Sequence, residues 1–353
     1  MDSANTVPVL LKGNAYDRGL AQKNDQVRSS VADAVNSRLQ SIRLTGPAEQ
    51  FLEDQWQIAT SSFSAQIEEL KGIATAFDIH IDRLFIYLNA TLLEEQFPTA
   101  ITLDGCSTWG LPNTGAGPIL CKNRDYRGEH KNLQAVFLHR DENLAGGQYL
   151  TVGSYGSPGG FSSGMNGVGF ALVDTQIATR EHGPGAIRYL LMNKLLSEAS
   201  STDEALQIIR STCHVGGGSL SMADENGVMA VVELGYSYTH IQRTETDAIS
   251  RTNHFVHPDL ASNYFYNKDD LIRNTSKGRL ERLHAELPDF DTSRPLEAAK
   301  TLGSSHDNQL AGLCSHSESS STLSCAIYLC KQRMLYFSDQ NPCLNDWHAY
   351  QIE

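Results

Sequence analysis

The chain has 353 residues, with 28 Lys and Arg against 41 Asp and Glu, a formal net charge of -13, and 40% hydrophobic residues. That apolar content fills a core and excludes a disordered chain, while the length allows one large domain or two or three smaller ones. A charge this negative, with no Lys/Arg-rich run to override it, repels phosphate backbones, so no nucleic-acid partner is expected.

No run approaches the roughly 18 apolar residues of a membrane span. The opening residues MDSANTVPVLLKGN lack the basic region of a secretory signal, so a soluble, cytoplasmic protein is the expectation. The cysteines, Cys106, Cys121, Cys213, Cys314, Cys325, Cys330 and Cys343, are odd in number and spread along the chain. Most read as free thiols rather than members of a secreted disulfide framework.

In chain order, the first stretch reads as helical. Val27, Val31, Val35, Leu39 and Ile42 recur at three- and four-residue spacing, as do Leu52, Trp56, Phe63, Ile67, Leu70 and Ile73. From Gly105 the texture changes to short β-like runs broken by glycine, at 115–117, 146–147, 156–160, 164–169 and 216–218. A helix is expected after Gly183-Pro184-Gly185, carrying Ile187, Leu190, Leu191 and Leu195. Another is opened by Ser201-x-x-Glu204, a capping box. Residues 219–223 and 228–234 flank Asn226-Gly227, which reads as a hairpin turn, and 325–330 and 334–338 form a second hairpin. The Ser/Thr-rich stretch 315–322 reads as a loop. Helices first, then strands with helices between, predict an α+β protein of antiparallel sheets covered by helices, built as one integrated unit.

The most informative stretch is Asp104-Gly105-Cys106-Ser107-Thr108-Trp109, followed by Lys122-Asn123-Arg124-Asp125. A cysteine directly after glycine has no bulky neighbour on its N-terminal side, so its thiol can reach the Gly105 carbonyl. Attack there gives a thioester, and hydrolysis frees Cys106 as a new N-terminus. Its α-amine, with a reference pKa of about 7.7 to 8.0, can serve as general base for its own thiol. A carboxylate nearby would hold the amine, and backbone N–H groups or side-chain amides would stabilise the oxyanion. Asp125, Asn166 and Asn253 are residues of the right kind. Each also has a plainer reading: Cys106 as a small buried hydrophobe, and Asp or Asn as turn residues bonding their own backbone, Asn166 before Gly167 above all.

The sequence resembles the acyl-coenzyme A:6-aminopenicillanic-acid acyltransferase family of N-terminal-nucleophile (Ntn) hydrolases over most of its length. The likeness runs through 11–19 (LKGNAYDRG), 69–74 (ELKGIA), Glu94-Glu95, Gly105-Cys106-Ser107-Thr108, Asn123-Arg124-Asp125, 164–169 (GMNGVG) and Thr252-Asn253-His254-Phe255. The resemblance implies a four-layer αββα sandwich and self-cleavage of a zymogen between Gly105 and Cys106. Segments 1–105 and 106–353 would then form one Ntn domain. It implies Cys106 as nucleophile and amine base, Asp125 orienting the amine, Asn253 donating to the oxyanion, and Asn166 as a second polar group at the pocket. Thr108 and Arg124 stand behind them. The substrate would be a linear small-molecule amide or acyl thioester, with water, an acceptor amine or a coenzyme A thioester as co-substrate. Family members often carry Cys-Arg-His where this chain has Cys314-Ser315-His316, which removes one cation and puts a β-lactam nucleus in doubt.

Two other classes stay open: a cysteine hydrolase with an internal cysteine and a separate base, His254 or His316, and a binding protein on the same fold. His306, Cys314 and His316 carry ligand types that suit zinc, but their spacing matches no usual zinc pattern. The glycine clusters lack a strand-GxGxxG-helix context. No metal or other cofactor is assigned.

Overall fold

The computed structural model describes residues 7–40, 42–96, 105–126, 132–157, 162–264, 271–306, 311–316, 321–344 and 346–353. Asp104, Gly159, Gly160 and 317–320 of the Ser/Thr-rich stretch lie outside the described residues, as does the side chain of Glu95.

A short strand, β1 (Val9–Lys12), leads into five helices: α1 (Ala15–Leu20), α2 (Arg28–Gln40), α3 (Gly46–Ser62), α4 (Ser64–Phe77) and α5 (Ile81–Gln96). The Asn14 side chain caps α1 by accepting from the Asp17 N–H. Helices α1 and α4 meet backbone to backbone. A Cβ on Gly19 would lie 2.0 Å from the Glu69 carbonyl oxygen, and one on Gly72 would lie 2.1 Å from that of Tyr16. Only glycine permits this approach at either position. The buried Arg18 seals the junction, reaching the Gly13 carbonyl at 3.0 Å, Asp141 at 2.9 Å and Glu69 at 3.8 Å.

The strands that follow are β2 (Gly105–Leu111), β3 (Ile119–Tyr126), β4 (Gln134–Arg140), β5 (Gln148–Ser154), β6 (Ser163–Asn166) and β7 (Ala171–Thr175). Helices α6 (Arg188–Glu198) and α7 (Thr202–Arg210) interrupt them. Strands β8 (Ser219–Ala223), β9 (Met229–Leu234), β10 (Thr239–Thr244) and β11 (Ile249–Arg251) precede three helices, α8 (Pro258–Ala261), α9 (Leu271–Glu286) and α10 (Pro295–Gly303). The chain closes with β12 (Ser321–Leu329), β13 (Met334–Ser338) and β14 (His348–Gln351). Both expected hairpins form, β8–β9 with Gly227 at φ 92° and β12–β13 with Arg333 at φ 53°. The Ser201 hydroxyl accepts from the Glu204 N–H, while the Glu204 carboxylate takes the Ser200 N–H, a slightly displaced capping box.

One sheet runs β1-β4-β5-β6-β7-β8-β9-β10 and the other β11-β2-β3-β12-β13-β14. Neighbours are antiparallel except β1 and β4, which are parallel. This departs from the expected pair of antiparallel sheets because the helical block and two strands of the other sheet separate β1 from β4, long enough for a crossover. Alternating side chains give each sheet two apolar faces. Leu120, Val136, Leu150, Met165, Val231, Tyr328 and Phe337 fill the space between sheets. Leu172, Leu220 and Val232 on the outer face of the eight-stranded sheet meet Ile67, Leu70, Ile73, Leu190 and Leu206 of the helices. On the outer face of the six-stranded sheet, Trp109, Ile119 and Ile327 meet Leu283, Ala299 and Leu302 of α9 and α10, two helices the periodicity did not reveal. The result is the expected αββα sandwich, and residues on both sides of Gly105 share a core and a sheet. Among the described residues no helix is long and apolar enough to cross a membrane.

Candidate active site around Cys106

Cys106 is the second residue of β2, a strand interior to the six-stranded sheet. Its partners on β3 set the site: Gly105 faces Asp125, Cys106 faces Arg124 and Thr108 faces Lys122. A Cβ on Gly105 would press to 3.1 Å from both Cβ and Oδ2 of Asp125. The missing side chain is what lets this carboxylate lie against the Gly105–Cys106 peptide.

Three elements distant in sequence converge on that peptide. The Cys106 N–H donates to Asn253 Oδ1 at 2.8 Å. Arg279, buried on α9, donates through Nη1 to the Cys106 carbonyl at 2.6 Å and to Ser107 Oγ at 2.8 Å, and through Nη2 to Asn253 Oδ1 at 2.8 Å. The Asn253 amide can point only one way, since two donors meet its oxygen while its Nδ2 donates to the Gln176 carbonyl at 2.8 Å. Asn253 therefore touches Cys106 as an acceptor, whereas the sequence suggested an oxyanion donor. Asp125 Oδ1 accepts from the Thr322 hydroxyl at 2.6 Å, so the end of the Ser/Thr-rich stretch is a strand residue with a task. Burial pushes the Asp125 carboxyl above the usual carboxylate range, and Arg279, the Thr322 hydroxyl and Lys122 oppose that rise.

Cys106, Arg124 and Asp125 border a pocket whose apolar wall includes Tyr87, Leu88 and Tyr189 and whose polar wall includes Lys122, Asp174 and Arg188. Asp174 on β7 binds the Lys122 ammonium from the facing sheet and the Arg188 Nε at 2.7 Å. Burial pushes the Asp174 carboxyl up, and the two cations more than reverse it, leaving it below the usual range. Thr108 lies two residues along β2 and ties the sheets together, its hydroxyl 3.1 Å from that of Ser221. Arg124 donates to Gln134 Oε1 at 3.0 Å.

Asn166 is not brought to this pocket. It ends β6 with its amide on the helix side of the eight-stranded sheet, where Nδ2 donates to the Leu196 and Ala199 carbonyls at 3.2 and 2.7 Å. Its Oδ1 accepts from the Val168 and Phe170 N–H groups at 3.3 and 3.1 Å. The turn reading of Asn166-Gly167 is the one the structure follows, extended to closing the C-terminus of α6. Among the described residues no histidine lines the pocket. His254 Nδ1 is 2.8 Å from the Ser276 hydroxyl, and burial, with Lys277 and Arg279 nearby, pulls its imidazole down to about 4. Sequence reasoning missed Arg279, whose setting Lys277-Gly278-Arg279 carries no motif. It also gave no role to Lys122 or Arg188.

Two facing sheets sheathed by helices form the four-layer αββα sandwich, with Cys106 at the head of an interior strand. The chain belongs to the family described as acyl-coenzyme A:6-aminopenicillanic acid acyl-transferase, whose profile matches residues 112–343, well over half the chain, starting after Cys106. Membership places it in an acyltransferase enzyme family. Similar solved structures include a mutant of conjugated bile acid hydrolase from Clostridium perfringens, at 12% identity and TM-score 0.43, covering 70% of this chain and 97% of that one. A second variant of the same hydrolase has 12% identity and TM-score 0.44 with the same coverage. Penicillin V acylase from Agrobacterium tumefaciens has 13% identity and TM-score 0.43, covering 66% of this chain and 83% of that one. A search of curated protein sequences gives no match.

Proposed function

We propose that this enzyme is a self-processing cysteine amidohydrolase or acyltransferase. The observation that carries the reading is the hold on Cys106: its N–H, the amine after processing, rests on Asn253 Oδ1, its carbonyl on Arg279, and the Asp125 carboxylate lies against the preceding glycine. In processing, the Cys106 thiol adds to the Gly105 carbonyl carbon, the Gly105–Cys106 C–N bond breaks, and the departing nitrogen takes up a proton. Water then cleaves the thioester, releasing the Gly105 carboxylate and restoring the thiol. The freed amine sits between Asn253 and Asp125 and accepts the thiol proton in each later turnover.

In turnover, Cys106 attacks the acyl carbonyl of an amide or thioester, and the protonated amine returns its proton to the leaving group. Water, an acceptor amine or a thiol resolves the acyl-enzyme. Asn253 keeps Oδ1 on the amine; for Nδ2 to reach the oxyanion the whole planar amide has to shift and give up the Gln176 carbonyl. Tyr87, Leu88 and Tyr189 suit an apolar acyl group. Lys122 and Arg188 share one carboxylate, Asp174, so the polar wall offers cations that suit a substrate with a polar or anionic group. No histidine base enters, consistent with the histidine-free pocket wall of the described residues.

The test is the denaturing mass of freshly purified protein beside Cys106→Ala. Separate pieces 1–105 and 106–353 in the normal protein, with the variant whole, are expected. If both stay whole while folded, no free amine exists and the proposal fails.

A further inference from the structure

At one end of the six-stranded sheet, three loops bring together four side chains that the proposed reaction does not use. His306 follows α10, Cys314 and His316 precede β12, and Cys343 lies between β13 and β14. Their potential ligand atoms all lie within 4.8 Å of one another. Cys314 Sγ is 3.6 Å from Cys343 Sγ and 3.8 Å from His316 Nε2, and His316 Nε2 is 3.1 Å from Cys343 Sγ. The His306 ring stands 5.0 Å from that of His316, centroid to centroid.

These separations can be set against a tetrahedral ion. Zinc bonds of about 2.3 Å to sulfur and about 2.0 Å to nitrogen put sulfur pairs about 3.8 Å apart and sulfur–nitrogen pairs about 3.5 Å apart. The cluster already holds its sulfurs and the His316 nitrogen close to those values. Two thiolates would neutralise a divalent charge, and two imidazoles complete four-fold coordination with no position left for a substrate. The Asn341 amide supplies outer support, with Nδ2 3.7 Å from Cys314 Sγ and donating to the Ser315 carbonyl at 2.8 Å. A Cys314–Cys343 disulfide would use the two sulfurs but give the converging imidazoles no task.

The structure assigns to His306, Cys314, His316 and Cys343 a closed structural zinc site, which fastens the loops supporting Asp125. The link is short. Ser315, between two of the ligands, donates its N–H to Thr322 Oγ1 at 2.8 Å and accepts the Thr322 N–H at 2.9 Å. The Thr322 hydroxyl donates to Asp125 Oδ1 at 2.6 Å, with the Leu313 carbonyl a longer alternative acceptor at 3.5 Å. An ion holding Cys314 and His316 thus fixes the donor that orients the carboxylate beside Gly105. The sequence set zinc aside because the spacing of His306, Cys314 and His316 matches no usual zinc pattern; the fourth ligand, Cys343, lies 27 residues beyond His316 and was not brought into the group.

The experiment is elemental analysis of the full chain, purified without chelator and under reducing conditions, beside Cys343→Ser, His316→Ala and Cys213→Ser. One equivalent of zinc in the normal protein and in Cys213→Ser, an exposed cysteine elsewhere, with loss in the other two variants, is expected. Should those variants fail to fold, metal-stripped normal protein is titrated with cobalt(II); tetrahedral d–d bands with sulfur-to-cobalt charge transfer support the site. Folded, reduced protein that retains no zinc after incubation and dialysis, and gives no thiolate–cobalt band, overturns it, as does a Cys314–Cys343 disulfide in native peptide maps. Metal content is read independently of self-cleavage, so failure of one proposal leaves the other standing.

Discussion

Replacing Arg279 separates positioning from bulk stability at the candidate site. Its guanidinium makes three charge-assisted hydrogen bonds, to the Cys106 carbonyl, Ser107 Oγ and Asn253 Oδ1. Bonds to charged groups contribute about 1.5–3 kcal/mol each, so a gross loss of roughly 5–9 kcal/mol follows their removal. Against it stands relief of the desolvation that pulls the guanidinium below its usual value, an effect of several kcal/mol for a buried ion. The net change in stability is therefore only a few kcal/mol. Processing responds more strongly, because Arg279 fixes both the carbonyl of the candidate nucleophile and the amide that holds its nitrogen. A misplacement of about 1 Å costs on the order of 100-fold in rate. Arg279→Met is expected to stay folded and to cleave at least that much more slowly, followed as intact mass against time. Arg279→Lys keeps the charge but loses the planar fork that spans three acceptors, so it should fall between the two. Processing of Arg279→Met at the normal rate, with a normal melting profile, would refute the positioning argument.

Asp125→Asn should abolish self-cleavage yet not reduce stability near neutrality. The folded-state pKa of Asp125 lies above the unfolded one, so its contribution is fully present below the unfolded value and is lost as pH rises through the folded value. The melting temperature of the variant relative to normal protein should thus climb with pH from the acid side; a falling difference would contradict this. Asn166→Ala is expected to lower stability by roughly 2–4 kcal/mol, since buried N–H and C=O groups lose their partners, while the folded fraction still cleaves normally. Cleavage lost without a stability change would return Asn166 to the site. Asp174→Asn strands two buried cations and should cost about 3–5 kcal/mol in denaturant titrations at neutral pH. Because the Asp174 pKa is depressed, that stability is present above the unfolded value and fades as pH falls through the folded one, so the gap between variant and normal protein should close in acid.

Local rules made much of the scaffold legible. The stripes through Val31 and Val35 and through Ile67, Leu70 and Ile73 became α2 and α4, Asn226-Gly227 made the turn its chemistry favours, and Ser201 capped α7. Helix α9 escaped because it turns the buried Arg279 and Arg282 inward beside Leu280 and Leu283, so its inner face does not read as apolar. The meeting of Cys106 with Asn253 and Arg279 depends on β11 pairing with β2 and on α9 crossing the sheet. Neither leaves a local trace. Asn166 shows the opposite case, a motif residue whose surroundings in the chain described its turn correctly while the family likeness drew it to the pocket.

The parallel pairing of β1 with β4 acquires a thermodynamic meaning if the Gly105–Cys106 bond is cut. The piece carrying β1 and the first five helices is then held to the rest without a covalent link, by the β1–β4 hydrogen bonds, side-chain contacts such as Arg18 with Asp141 and Gln55 with the Gly185 N–H, and a shared core. Unfolding such a molecule releases two polypeptides, so renaturation becomes second order and its midpoint shifts with protein concentration. An uncut Cys106→Ala chain refolds in a first-order step. Dilution would then distinguish a mature sample from an immature one even where both have the same native structure.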